Sequence, residues 1–190
     1  MKPIIRTADE RDWEAIAQLN HDTYALELGQ YEPSADGRKI DRLHETNIYF
    51  VAYVGDELAG MISINLPSKA QFSTLKRLKS VSEDIRVNLP KTAEMRLLAI
   101  KPAYRSQGIY DRLMAAVIQY TYLNDIERVL ISAIENRVPL YAFMGFCAIG
   151  EAVVEGTAVY VPMLITRQSF ETSPFCQKLT SKKLEVVPVA

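Results

Sequence analysis

Three short stretches of the chain hold most of the groups that could do chemistry. Tyr104-Arg-Ser-Gln-Gly-Ile-Tyr110 follows a strand-like run, Leu97-Leu-Ala-Ile100, and opens a helix-like run. Backbone N–H groups at a helix start lack intrahelical acceptors and carry partial positive charge, so such a junction can bind an anion. Gly108 lets the backbone turn and approach a ligand, and Arg105 adds charge. A plain helix start has the same sequence. Glu94 and Arg96 fall on one face of the preceding strand, where they can pair. Tyr141-Ala-Phe-Met-Gly-Phe146 sets a phenol ahead of a glycine turn. Thiol and imidazole chemistry find little support. Cys147 lies in a strand after Gly145-Phe146 and reads as core, and His21 and His44 fit no triad pattern. No Cys/His spacing suggests zinc, so no metal is expected.

The elements that must position these groups are those of a soluble α/β protein. Apolar residues make up 48% of the 190 and charged residues 24%, enough for a full core. One domain is expected over residues 1–165, with a polar tail over 166–190. Net charge is −1, without the basic excess usual for nucleic-acid binding. The longest charge-free run, Val138–Gly150, is 13 residues and too short for a membrane span, which needs about 18. Two cysteines and no signal-peptide pattern favour reduced thiols in the cytoplasm. Thr7 with Glu10 fits a capping box for a helix that buries Trp13, Ile16, Ala17 and Leu19 and fades near Gly29. A polar loop follows over 30–47. Strands are expected over 48–54 and 58–66, a weak helical pattern at Phe72, Leu75 and Leu78, and a strand over 94–100. A helix over 108–122, a buried strand over 129–134, a short helix over 139–144, and strands over 147–154 and 158–164 complete the order. One helical crossover on a sheet of hairpins gives a mixed α/β sandwich.

The stretch from Glu94 to Phe146, strand, Arg105-x-x-Gly108, helix, strand and Tyr141-x-x-x-Gly-Phe146, resembles the GNAT acyltransferase superfamily. The resemblance covers about residues 48–164. It implies an α/β fold with a GNAT-like mixed, mostly antiparallel sheet flanked by helices on both faces. It also implies coenzyme A pyrophosphate on the Arg105–Gly108 loop and a tyrosine beside the thioester sulfur. Tyr110 departs, since the superfamily usually has Gly or Ala there. A narrower likeness addresses this departure. Tyr24-Ala-Leu-Glu27-Leu-Gly-Gln-Tyr31, a loop with Asp36 and Asp41, and Glu94-Met-Arg96-Leu97 are similar to the N-acyl amino acid synthases and acyl-homoserine-lactone synthases. Members of that branch take acyl chains from acyl carrier protein, or sometimes from coenzyme A. A donor held mainly through phosphopantetheine tolerates a poor pyrophosphate loop. His44 departs, where a second acid after Asp41 is expected.

The resemblance implies an N-acyltransferase: a small amine, such as that of an amino acid, attacks a medium- or long-chain thioester. Tyr141 would protonate the leaving thiolate. Glu94 would act as general base, or simply pair with Arg96. Backbone groups of Leu98, Ala99 and Ile100, with Arg105, Gln107, Gly108, Ile109 and Tyr110, would hold the donor. Glu27, Asp41 and Arg96 would hold the acceptor, with Asp36 and His44 as further candidates and a solvated loop as the plainer account. Met61, Ile62, Phe72, Leu75 and Leu78 could line an acyl tunnel, or could be core. Lys76, Arg77 and Lys79 form a basic cluster that would attract an acidic carrier protein, or a solvated helix face. No tightly bound cofactor is implied; acyl-CoA or acyl-phosphopantetheine serves as co-substrate. Alternatives are an acetyl-CoA-dependent N-acetyltransferase and a non-catalytic acyl-CoA-sensing module.

Overall fold

The β-branched and aromatic runs form strands, and the 3.6-residue patterns form helices, close to where the sequence puts them. The computed structural model describes residues 2–66 and 72–182. The strands are β1 (Ile4–Thr7), β2 (Asn47–Val54), β3 (Glu57–Asn65), β4 (Thr92–Ile100), β5 (Arg128–Ile134), β6 (Cys147–Ala148), β7 (Val153–Glu155) and β8 (Ala158–Thr166). The helices are α1 (Trp13–His21), α2 (Glu83–Val87), α3 (Ile109–Leu123), α4 (Val138–Phe143), α5 (Arg167–Glu171) and α6 (Pro174–Ser181). The strands hydrogen-bond in the order β1-β2-β3-β4-β5-β8-β6, with β7 on β8. β4 and β5 run parallel, whereas β1 with β2 and β8 with β5, β6 and β7 run antiparallel. The sheet is therefore mixed and mostly antiparallel.

The described residues form two compact units, one from residues 2–64 and 97–120, the other from 65–96 and 121–182. In the first, Ile16 and Leu19 of α1 pack with Tyr49, Val51, Leu58, Met61 and Ala99. A Cβ at Gly60 would crowd this core, lying 3.1 Å from the Ala99 carbonyl oxygen and 3.2 Å from Ile109 Cγ2. Met61 and Ile62 are fully buried core residues. In the second, Leu130, Ile131, Met144, Phe146, Met163 and Phe175 are buried.

Several local expectations are corrected. Thr7 stays in β1, paired opposite Phe50, so the capping box shifts to Asp9 and Asp12. After α1 the chain widens into a π-helical turn over Asp22–Glu27, in which Leu28 N–H donates to Thr23 O, and Gly29 ends it at φ 61°. The spacing at Phe72, Leu75 and Leu78 yields only a 3-10 turn over Leu75–Arg77. The strand expected over 147–154 is two short pieces, β6 and β7, with residues 149–152 between them outside the sheet ladder. Cys147 is exposed rather than core, since β6 is only two residues long at the sheet's edge. Residues expected as a polar tail form α5 and α6, capped by Thr166 and Ser173, and Phe175 is buried. No helix among the described residues is long and apolar enough to cross a membrane.

Asp12 anchors the first unit. Its carboxylate accepts two bonds from Arg6 at 2.7 and 2.8 Å, one from Tyr53 O–H at 2.8 Å and one from Asp9 N–H at 2.8 Å. Burial alone would raise this carboxyl, but those donors more than offset it and hold it below its ordinary value. Burial first, then Asp12, pushes the Tyr53 phenol up to about 12. Asp12→Asn is expected to cost about 2–3 kcal/mol, by loss of a charged acceptor with four donors. A depressed acid stabilises the fold above its unfolded value of ~3.9 and loses that contribution as pH falls through the folded value. Urea midpoints between pH 7 and pH 3 check this: the variant's midpoint should fall less with acid than the wild type's, by the share that Asp12 contributes.

Candidate active site

In the first unit, Pro102–Tyr104 form a 3-10 turn and α3 begins at Ile109. Between them Ser106 and Gly108 take left-handed φ values of 66° and 76°. Arg105 Nε donates to Ile100 O at 3.0 Å, and its Nη2 donates to Glu27 Oε2 at 2.5 Å. The expected donor-binding arginine is thus brought together with an expected acceptor-binding acid. The π-helical turn makes this contact, because it carries both Glu27 and Tyr24, whose O–H donates to Leu98 O at 3.1 Å. Gln107 folds back onto Ala103 O at 2.8 Å. The Ile109 side chain is buried and Tyr110 is half-buried. Asp41 lies in the loop before β2, where Oδ1 accepts from Leu43 N–H at 2.9 Å and Asn47 Nδ2 at 3.1 Å. Asp36 accepts from Arg38 N–H at 3.1 Å, and His44 packs edge-on to Trp13 with ring centroids 4.8 Å apart.

β4 changes character along its length. Among the described residues its parallel ladder with β5 spans Thr92–Glu94. Leu97 then takes φ 52°, a left-handed conformation that costs a branched residue about 1–2 kcal/mol. Strain of this kind persists where surrounding structure enforces it, and it clusters at functional sites.

In the second unit, Tyr141 lies on α4, half-buried, its ring edge-on to Phe146 at 5.6 Å. Its phenol has no hydrogen-bond partner among the described residues. Burial pushes the phenol above its ordinary value, outweighing the Arg137 charge, so it stays protonated near neutrality. The glycine of the Tyr-x-x-x-Gly-Phe pattern has a steric cause. Gly145 sits at φ 102°, and a Cβ there would lie 2.5 Å from Ser169 O.

Glu94 is buried at 1% exposure and saturated with donors. Oε1 accepts from Ser73 Oγ at 2.9 Å and Thr74 N–H at 2.6 Å; Oε2 accepts from Ser73 N–H at 3.0 Å and pairs with Arg96 Nη1 at 3.4 Å. Arg96 Nη1 also donates to Ser73 Oγ. Beside this cluster stands a residue that sequence placed on a basic surface. Arg77 is turned inward, with its Nη1 donating to Ser132 Oγ at 3.0 Å. Lys79 pairs with Glu151 at 2.5 Å and Lys76 is exposed. Ser73, Thr74 and Ser132 carry no motif, so nothing in the sequence marks them. No group of acids, histidines or cysteines among the described residues could hold a metal ion.

The mixed, mostly antiparallel sheet with its helices is that of GNAT-fold structures. A GNAT-family acetyltransferase structure from Staphylococcus aureus is 12% identical, with a TM-score of 0.60 over 87% of this chain and 99% of that one. The structure of BjaI, a CoA-dependent acyl-homoserine lactone synthase solved with SAM and isopentyl-CoA, is 17% identical, with a TM-score of 0.75 over 100% and 94%. The structure of FeeM, an N-acyl amino acid synthase from uncultured soil microbes, is 19% identical, with a TM-score of 0.68 over 93% and 98%. A comparison with curated proteins gives no match. The profile of the family described as N-acyl amino acid synthase FeeM matches residues 15–167, so the chain belongs to that family and is an acyltransferase.

Proposed function

We propose that this acyltransferase moves a medium or long acyl chain from a carrier-protein thioester to the amine of an amino acid. The observation that carries the donor assignment is the Arg105–Glu27 pair. Glu27 cancels the loop's cation and sets a carboxylate beside it. Coenzyme A brings a diphosphate and a further phosphate to such a loop. A carrier protein brings its pantetheine arm on a single phosphodiester, and suffers less repulsion. The left-handed turn at Ser106 and Gly108 favours a second reading, a coenzyme A thioester, as used by BjaI.

In the reaction the neutral amine attacks the thioester carbonyl, a C–N bond forms and the C–S bond breaks. Tyr141 gives its phenolic proton to the departing thiolate. The proton lost from the new amide nitrogen restores the phenol. Glu94, with every oxygen engaged, positions Ser73, Thr74 and Arg96 instead of carrying that proton.

Thiol release from acetyl-CoA, long-chain acyl-CoA and long-chain acyl carrier protein, each with pooled amino acids, tests the donor. Release with the carrier protein alone supports the assignment, and release with coenzyme A donors alone overturns it. Glu27→Gln is expected to raise kcat/KM for acyl-CoA roughly fivefold relative to the carrier protein, the scale of a partly exposed charge pair. An unchanged ratio removes Glu27 from donor selection.

A further inference from the structure

We propose that Arg77 seats the carboxylate of the acceptor, and that Glu155 occupies this seat until the acceptor displaces it. The inference rests on the reading that the acceptor is an amino acid. The Arg77 side chain is only 14% exposed. Its guanidinium lies over the Tyr160 ring, with Cζ 4.5 Å from the centroid. Nη1 donates to Ser132 Oγ, which also bonds Thr74 Oγ1 at 3.0 Å. Nε is buried with no hydrogen-bond partner among the described residues. The walls of the seat are therefore fixed on three sides, by an aromatic face, a hydroxyl and the turn that carries Arg77.

The anion facing Arg77 is of a different kind. Glu155 gives it one oxygen, Oε2, at 2.5 Å from Nη2, and is 47% exposed. It ends β7, a three-residue strand, just before the Gly156 turn. A guanidinium is a fork that matches both oxygens of a carboxylate. A buried guanidinium also needs an anion. Glu155 meets the second need with one oxygen, from a side chain that can return to water at small cost.

Charge points the same way. Arg77 and Glu155 balance as one cation and one anion. Glu94 is committed to Ser73, Thr74 and Arg96. When Glu155 leaves, Arg77 keeps one positive charge, the complement of a single carboxylate. Because Arg77 is turned inward, this charge is directed at a small ligand rather than at a protein surface.

The experiment offers the full-length enzyme, with its preferred acyl donor, a pool of the standard amino acids mixed with their decarboxylated amines. Products are resolved by mass. Wild type should favour acyl amino acids over acyl amines. Arg77→Lys, which keeps the charge and loses the fork, should lower that ratio roughly 10-fold or more, the scale of a charged hydrogen bond. Glu155→Gln leaves the buried Arg77 without its anion and should lower the melting temperature, a loss that added amino acid should offset. It should raise the ratio and lower the amino acid KM about threefold or more, because the internal competitor has lost its charge. If both variants leave the ratio unchanged, Arg77 is structural and the inference is overturned while acylation of amino acids stands. If wild type acylates only amines, or neither pool, the acceptor reading itself fails and the seat falls with it.

Discussion

Tyr141→Phe is expected to lower kcat about 100-fold, the low end of what a positioned general acid contributes, while changing donor KM less than twofold. The asymmetry follows from what the hydroxyl touches. It has no hydrogen-bond partner among the described residues, so its removal breaks nothing in the fold. The ring's edge contact with Phe146 at 5.6 Å is kept by phenylalanine. The turn behind it is held by backbone, with Met144 N–H and Phe146 N–H both donating to Tyr141 O at 3.0 Å. Only the proton is lost. Because burial raises the phenol, the wild-type rate should show no loss from Tyr141 ionisation until pH exceeds its ordinary value of ~10. Steady-state thiol release, with donor and acceptor varied separately, measures the split. An unchanged kcat would take Tyr141 out of the chemistry, and a rise confined to donor KM would make it a binding residue.

The fold was largely legible in the sequence because its elements are local. The runs at 48–54, 58–66 and 129–134 are β-branched or aromatic between turn signals, and the helix after Gly108 has a clear apolar stripe. Errors arose where tertiary pairing overrode a local signal. Thr7 and Glu10 look like a capping box, but strand pairing to Phe50 keeps Thr7 extended and the box moves to Asp9 and Asp12. The site was less legible. Arg105, Gly108 and Tyr141 stand in short patterns. Glu27 and Arg105 are far apart in sequence, and their meeting depends on a π-helical turn that no residue pattern announces. Arg77 shares a polar stretch with two lysines, and only the turn over Leu75–Arg77 directs it inward.

Glu94 is where these two levels meet, and its replacement should have the largest effect on the fold. Glu94→Ala strips four donors of their acceptor: Ser73 N–H, Ser73 Oγ, Thr74 N–H and Arg96. Removing one partner from a buried charged cluster costs about 3–5 kcal/mol, a large part of the 5–15 kcal/mol that holds an ordinary domain together. Glu94→Gln is the sharper probe. It keeps one carbonyl oxygen, but turns an NH2 toward groups that are themselves donors, so about 2 kcal/mol should be lost. The denaturation midpoint should fall and the amino acid KM should rise, because Ser73 links Glu94 to both arginines. The pH–rate profile should keep its shape, since a residue that only positions others does not titrate in the rate. A general base behaves in the opposite way. If Glu94→Gln keeps the wild-type midpoint, loses turnover by 100-fold and loses the acid limb of its profile, then Glu94 takes the ammonium proton directly, and the second proton lost from the nitrogen still restores the Tyr141 phenol.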